Sequence, residues 1–331
     1  MGVNRRVCLQ GLTLALIGGN RAVHAQQRRS DRVGILMPYQ PGDVVIQGRV
    51  DAFKEKLAEE ISGTVFVEQW TGDDPTAIRR GLAQMVAEGV DVILTTGSRV
   101  VPAVQASFPG TPLVFVGTSD PVGQGFVDSL ARPGRKTTGF SQFEFDQDRS
   151  PLMGKLVDLL GQIAPGGSRL VLMFNPANPA AAFHRQSFET TAAAMGLEPR
   201  TAPVRTSAEI EAALRDAAKE VGTRLVLPSD LTLLNHRRLI VNLARELGLP
   251  IGFSDESFVI EGGLLSYAPD RKDMFRRAAA YVERILSGED AGSLPIQQPN
   301  SYILTINMTA ARALRLDVPT SLLVQADELV D

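Results

Sequence analysis

From Arg32 onward the chain alternates short apolar runs with segments of helical spacing, and few folds accept that rhythm. Residues 32–37 read as a strand ending at Pro38, and residues 45–60 as a helix with Val50, Phe53 and Leu57 on one face. A strand over 64–70, a helix over 75–88 opened by Asp74-Pro75, and a strand over 90–94 follow. A helix over 99–108 and a strand over 112–116 complete the first series. Repeated strand–helix units imply a parallel sheet covered on both faces. The stretch 132–139 is turn-rich and reads as a linker. Beyond it the alternation resumes, with helices over 151–163, 180–195, 207–220 and 233–247 between strands over 169–174, 198–204, 224–227 and 249–253. A strand over 263–267, a helix over 270–286, an extended spacer at 295–299, a strand over 301–307 and a helix over 308–316 close the series. The expectation is α/β with two lobes and a hinge between them. One lobe takes residues 26–140, the other 141–269. Residues from about 270 to 331 exceed the second sheet's needs and are expected to cross back and complete the first lobe.

The first 25 residues break the rhythm. Arg5-Arg6 precede the apolar stretch 7–17, and Val23-His24-Ala25 place small residues at −3 and −1. This is the pattern of a cleavable export signal, with cleavage expected after Ala25. Its apolar core is too short to span a bilayer. The run NRRVCL loosely resembles a twin-arginine signal but departs from it at Asn4 and Cys8, so the export route stays open. Cleavage removes Arg5, Arg6 and Arg21 and no acid, which takes the formal charge of −3 to −6. It also removes Cys8, the only cysteine, which lies too early in the apolar core for a lipid anchor. A chain without cysteine has no disulfide, thiolate nucleophile or cysteine-based zinc site. An acidic balance gives no footprint for nucleic acid or an anionic membrane. The expected compartment is the periplasm or outside the cell.

In an open parallel sheet, ligands sit beyond the carboxyl ends of the strands. Those ends carry Pro38-Tyr39-Gln40, Thr95-Thr96-Gly97-Ser98 and Gly117-Thr118-Ser119-Asp120 in the first half. In the second half they carry Asn175-Pro176-Ala177-Asn178, Pro228-Ser229-Asp230 and Phe253-Ser254-Asp255-Glu256. Hydroxyls, amides and a few carboxylates dominate. Ser98 and Thr118 stand near helix starts, where free N–H groups favour a carboxylate. Asp230 and Asp255 suit a cation such as an α-ammonium. Helix capping uses the same residue types and competes with each of these roles. Tyr39, Phe253 and Tyr267 stand at strand ends, where they either line a cleft or fill a core.

Enzyme chemistry finds less support. A nucleophilic serine needs a base, and beyond the leader only His184 and His236 are present, both in helical stretches and expected on helix surfaces. No Gly-x-Ser-x-Gly surrounds Ser98, Ser119, Ser229 or Ser254, and no phosphate-binding Gly-x-x-x-x-Gly-Lys occurs. Asp255-Glu256 alone makes no metal site, and Gly123-Gln-Gly125 reads as a turn. Trp70 and Asp73-Asp74 read as structural, the acids as a cap before Pro75.

The runs RVGILMPY (32–39), DVILTTGS (91–98), TPLVFVGTSDPVGQGFVDSLARPG (111–134), TTGFS (137–141), NPANPAA (175–181) and EGGLLSYAPD (261–270) are found together with NMTAARALRLDVPTSLLVQADELVD (307–331). Together they resemble the ABC-transporter substrate-binding protein family, over nearly the whole chain after the leader. The resemblance implies the type I periplasmic-binding-protein fold, a monomer without cofactor, a small-molecule ligand and a permease partner in the inner membrane. It implies Thr96 and Ser98 as one ligand loop, Thr118 and Asp120 as the next, and Asn175 and Asn178 closing from the other lobe. Amino-acid-binding relatives carry Asp-Asn-Thr where this chain has Asp230-Leu231-Thr232, so the acid is kept and the amide lost. Many close relatives carry Arg-Glu before the second-lobe Gly-Gly, where this chain has Glu256-Ser257. An amino acid is the leading ligand class, bound by Tyr39, Thr96, Ser98, Thr118, Asp120, Asn175, Asn178, Asp230, Asp255 and Tyr267. Two other roles fit the same fold: a ligand-sensing partner of a membrane receptor and the inducer domain of a repressor, the latter disfavoured by a leader where a DNA-binding helix pair would stand. A secreted α/β enzyme is the further alternative.

Overall fold

The computed structural model describes residues 30–143 and 151–331, and the expected leader with Cys8 lies outside the described residues. Asp31–Asp331 is one compact unit built on two sheets. The first sheet takes β1 (Arg32–Met37), β2 (Val65–Trp70), β3 (Val92–Thr96), β4 (Leu113–Thr118) and β5 (Thr137–Ser141), in the order β2-β1-β3-β4-β5, all parallel. Strands β3 and β4 are buried along their whole length, as an inner parallel strand must be when helices cover both faces. The covering helices are α1 (Val44–Glu60), α2 (Pro75–Glu88) and α3 (Val101–Ser107). Their starts obey local chemistry. Asp43 accepts from the Ile46 N–H, and Asp74 accepts from the N–H groups of Thr76 and Ala77 with Pro75 at the first helical position.

The second sheet begins with β6 (Arg169–Phe174), β7 (Glu198–Pro203), β8 (Arg224–Leu227), β9 (Ile251–Phe253) and β10 (Leu265–Pro269). Its helices include α4 (Pro151–Ile163), α5 (Ala181–Ala194), α6 (Ser207–Ala217), α7 (Leu231–Asn235), α8 (Arg237–Leu247) and α9 (Ser257–Ile260). Strand alternation sorts the two faces. Leu170 and Leu172 belong to the cluster with Leu156, Leu160 and Phe188, whereas Val171 and Met173 belong to the one with Ile210, Leu214 and Ile240.

Residues 270–331, expected as a block to complete the first lobe, divide between the two sheets. Helix α10 (Arg271–Leu286) packs on α1 and on β4 and β5 through Met274, Phe275, Ala278 and Val282. The segment after it stays with the first lobe, where Gln297 bridges Phe140. The chain then returns, and β11 (Tyr302–Asn307) pairs antiparallel with β10 while β12 (Glu328–Val330) pairs parallel with β11. The second sheet is therefore mixed, in the order β12-β11-β10-β9-β8-β6-β7. The physical reason is edge pairing: β10 would otherwise expose a row of unpaired N–H and C=O groups. Strand β5 begins inside the stretch expected to be a linker and runs two residues past it. Gly139, at φ +151°, permits it, because a Cβ there would run into the Phe115 carbonyl of β4. The helix expected over 233–247 is broken at His236 into α7 and α8.

Candidate functional site

The carboxyl ends of both sheets meet at a cleft. From the first sheet it is lined by Tyr39 after β1, Thr96 to Arg99 at the end of β3, Gly117 and Ser119 at the end of β4, and Gln142 after β5. The second sheet supplies Asn178 after β6, Ser229 and Asp230 after β8, and Leu231 and Leu234 of α7; Arg271, at the crossing into α10, closes the ring. Atom-free space in the cleft, open solvent at its mouth included, amounts to about 420 Å³.

Half of the ten expected ligand residues, Tyr39, Thr96, Ser98, Asn178 and Asp230, line this cleft. Several of them already have partners. The Thr96 hydroxyl donates to the Val116 carbonyl at 2.7 Å, and Ser98 Oγ accepts from the Ser119 N–H at 3.1 Å, so both tie the end of β3 to β4. Asn178 Nδ2 donates to Asp230 Oδ2 at 2.5 Å, and Asp230 Oδ1 accepts from the Thr232 N–H at 2.8 Å. Asp230 thus caps α7. Burial pushes its carboxyl pKa up, against the lowering effect of the Asn178 and backbone hydrogen bonds.

The other five stand elsewhere. Thr118 is fully buried with an unpaired hydroxyl, facing away from the cleft, while Gly117 and Ser119 on either side line it. Strand parity explains this, since alternate residues share a face. Asp120, at φ 37°, accepts from the Gly123 N–H at 2.8 Å and shapes the turn through Gly123 and Gly125. Asn175 braces the loop below the cleft, donating to Thr232 Oγ1 at 2.7 Å and accepting from the Ala177 N–H at 2.8 Å. Tyr267 stacks on Tyr302, with ring centres 5.4 Å apart. Phe253 lies in the core, stacked on Phe258 at 4.4 Å. His184, expected on a helix surface, is buried instead between Phe143 and Phe183. Its neighbours across the crossover cover it, which helical position alone does not foretell.

Asp255 does not meet the cleft but anchors an ionic cluster beside it. Its carboxylate, fully buried, lies 2.8 Å from Arg49 Nη2 and 2.9 Å from Arg271 Nε. Burial works to raise its pKa, but the two guanidinium groups outweigh that and hold it below the usual carboxylate range. Arg49 also reaches Glu256 at 2.5 Å. Because Arg49 stands on α1 and Asp255 follows β9, the cluster joins the two lobes. Asp43 and Arg237 make a second bridge at 2.6 Å, and Asn235 donates to the Pro38 carbonyl at 3.2 Å.

The cleft residues not anticipated are Arg99, Gln142, Leu231, Leu234 and above all Arg271. Arg271 is 3% exposed, donates to Ser229 Oγ at 2.8 Å, and holds Nη1 where a Cβ on Gly117 would have to stand. Gly117, at φ +71°, leaves room that any Cβ would fill. No local signal marks Arg271, since it stands at a helix start after a lobe crossing. Ser119 and Ser229 lay within the strand-end loops, and parity along β4 would have selected Ser119 over Thr118.

Comparison with known proteins gives a consistent result. The family model described as ABC transporter substrate binding protein matches residues 39–330. The Tyrosine-binding protein of Clostridioides difficile is 20% identical over 298 residues, covering 89% of this chain and 83% of that protein. Among solved structures, the conserved domain protein from Vibrio cholerae superposes with a TM-score of 0.80 at 25% identity, over 91% of this chain and 100% of the other. The ABC domain in complex with L-Trp from Streptococcus pneumonia gives 0.82 at 20% identity, again over 91% of this chain and 100% of the other.

Proposed function

The chain belongs to the ABC transporter substrate binding protein family, and on that premise we propose that it is the periplasmic receptor of an importer. It captures a small polar ligand between its lobes and presents the closed form to a membrane permease, without chemistry on the ligand. One observation carries this reading: donors and acceptors from both sheets converge on a single cleft, and the walls of that cleft are tied across the lobes by Arg49–Asp255 and Asp43–Arg237. A ligand touching both walls stabilises the closed arrangement over an open one, which is the population shift a permease can read. The names of its relatives favour an amino acid. Tyr39, Thr96, Ser98, Asn178 and Asp230 are the expected ligand residues that line the cleft.

The test is a thermal-shift screen against amino acids, short organic acids, purines and sugars, followed by small-angle scattering with any hit. A ligand at a hundredfold excess over its Kd adds about 2.7 kcal/mol of stability, which moves the Tm by several degrees. The scattering radius is expected to fall on binding. A silent screen, or a hit with no closure, removes the receptor reading.

A further inference from the structure

We infer that the ligand carries net negative charge and that Arg271 holds its carboxylate. The inference rests on the cleft being the ligand site. Arg271 Nη1 and the Tyr39 hydroxyl make no hydrogen bond to an acceptor among the described residues, and Gln142 Nε2 is buried at the cleft without a hydrogen-bond partner among them. All three residues are nearly buried, at 3%, 3% and 2% exposure. A buried donor such as Gln142 Nε2 is costly without a partner, and a carboxylate, which only accepts, suits a lining with unspent donors.

Arg271 is held ready for that role. Ser229 accepts from Nη2 and Asp255 lies at Nε, so the guanidinium plane is fixed and Nη1 is the edge left over. A fixed fork that loses no rotamer freedom suits a carboxylate. Gly117 adds to this by letting the guanidinium reach the end of β4.

The seat for an ammonium group is more committed. Asp230 is the one carboxylate among the described residues lining the cleft, and it already accepts from Asn178 and from the first turn of α7. Arg99, paired with Asp73 at 3.4 Å, also lines the cleft. A neutral amino acid would place its ammonium beside these cations with only the already hydrogen-bonded Asp230 to receive it. A short dicarboxylate fits the donor set without an ammonium, and an acidic amino acid offsets its ammonium with a second carboxylate.

The test is calorimetric titration of the purified chain with succinate, L-glutamate, L-leucine and succinamide. Succinate or L-glutamate is expected to bind at least about tenfold more tightly than L-leucine or succinamide, and Arg271→Leu is expected to lose at least about tenfold in affinity. Arg271→Lys is expected to keep part of it. If Arg271→Leu does not fold, the ratio of succinate to succinamide on the unaltered chain decides, because the two differ in charge at the same shape. L-leucine binding as tightly as L-glutamate, with Arg271→Leu unaffected, overturns the anion assignment while leaving the receptor reading intact. Failure of both anionic probes also overturns the assignment, and the wider ligand screen then judges the receptor reading separately.

Discussion

At the scale of single residues, His184 shows how burial makes a measurable quantity. Its ring is 2% exposed against Phe143 and Phe183, and Nε2 has no hydrogen-bond partner. Burial disfavours the imidazolium and lowers the pKa to about 4. In the unfolded chain the ring titrates near its ordinary value, so over this window the unfolded state binds the proton first. The stability carried by neutral His184 is therefore whole above about pH 6.5 and lost as the pH falls towards 4, by at most about 3 kcal/mol. Urea denaturation across that range is expected to show the slope, and His184→Phe is expected to flatten it. An unchanged slope in the variant would refute this role. The same scale shows why half of the site was legible. Tyr39, Thr96, Ser98, Asn178 and Asp230 are polar or amphipathic residues at strand ends, and the parallel-sheet rule selects such positions. Thr118 fails because the rule finds the loop but not the face, and Asp120 and Asn175 fail because capping and turn formation use the same atoms.

At the scale of elements, α7 joins stability to the cleft. It is five residues long, too short to persist without packing or a cap. Asp230 supplies the cap and also receives Asn178 from the loop after β6. Asp230→Ala is expected to cost about 1 kcal/mol through the lost cap and to free Asn178 and Leu231 at the cleft wall. A lower denaturation midpoint together with weaker ligand binding is the expected result. A lower midpoint with binding unchanged would mean that α7 is scaffold alone. Helix α10 has the converse design. Its apolar face belongs to the first lobe, while its first residue, Arg271, reaches the second through Ser229 and Asp255. The amphipathic spacing of this helix was readable, but the use of its first residue was not.

At the scale of the whole molecule, the buried bridges decide how the two sheets sit together. Arg49 and Asp255 are 4% and 0% exposed at the side chain, so removing one partner leaves an uncompensated charge out of water. Arg49→Met is expected to destabilise the fold by about 3 kcal/mol or more and to enlarge the scattering radius of the ligand-free chain; an unaltered radius would show that the bridge does not govern closure. The sequence by itself determined the alternating elements, the Asp74 cap, the two-sheet α/β plan and the strand-end loops that line the cleft. These follow from short-range causes: apolar periodicity, the few residues that cap or turn a chain, and the rule that crossovers return to a parallel sheet. Only the tertiary structure decided that β11 and β12 pair at the edge of the second sheet, that Asp255 serves an ion cluster rather than the cleft, and that Arg271 and Gln142 enter it. Those outcomes depend on which edges and charges the two lobes bring within reach of each other, and residues 206 positions apart, such as Arg49 and Asp255, carry no local mark of that meeting.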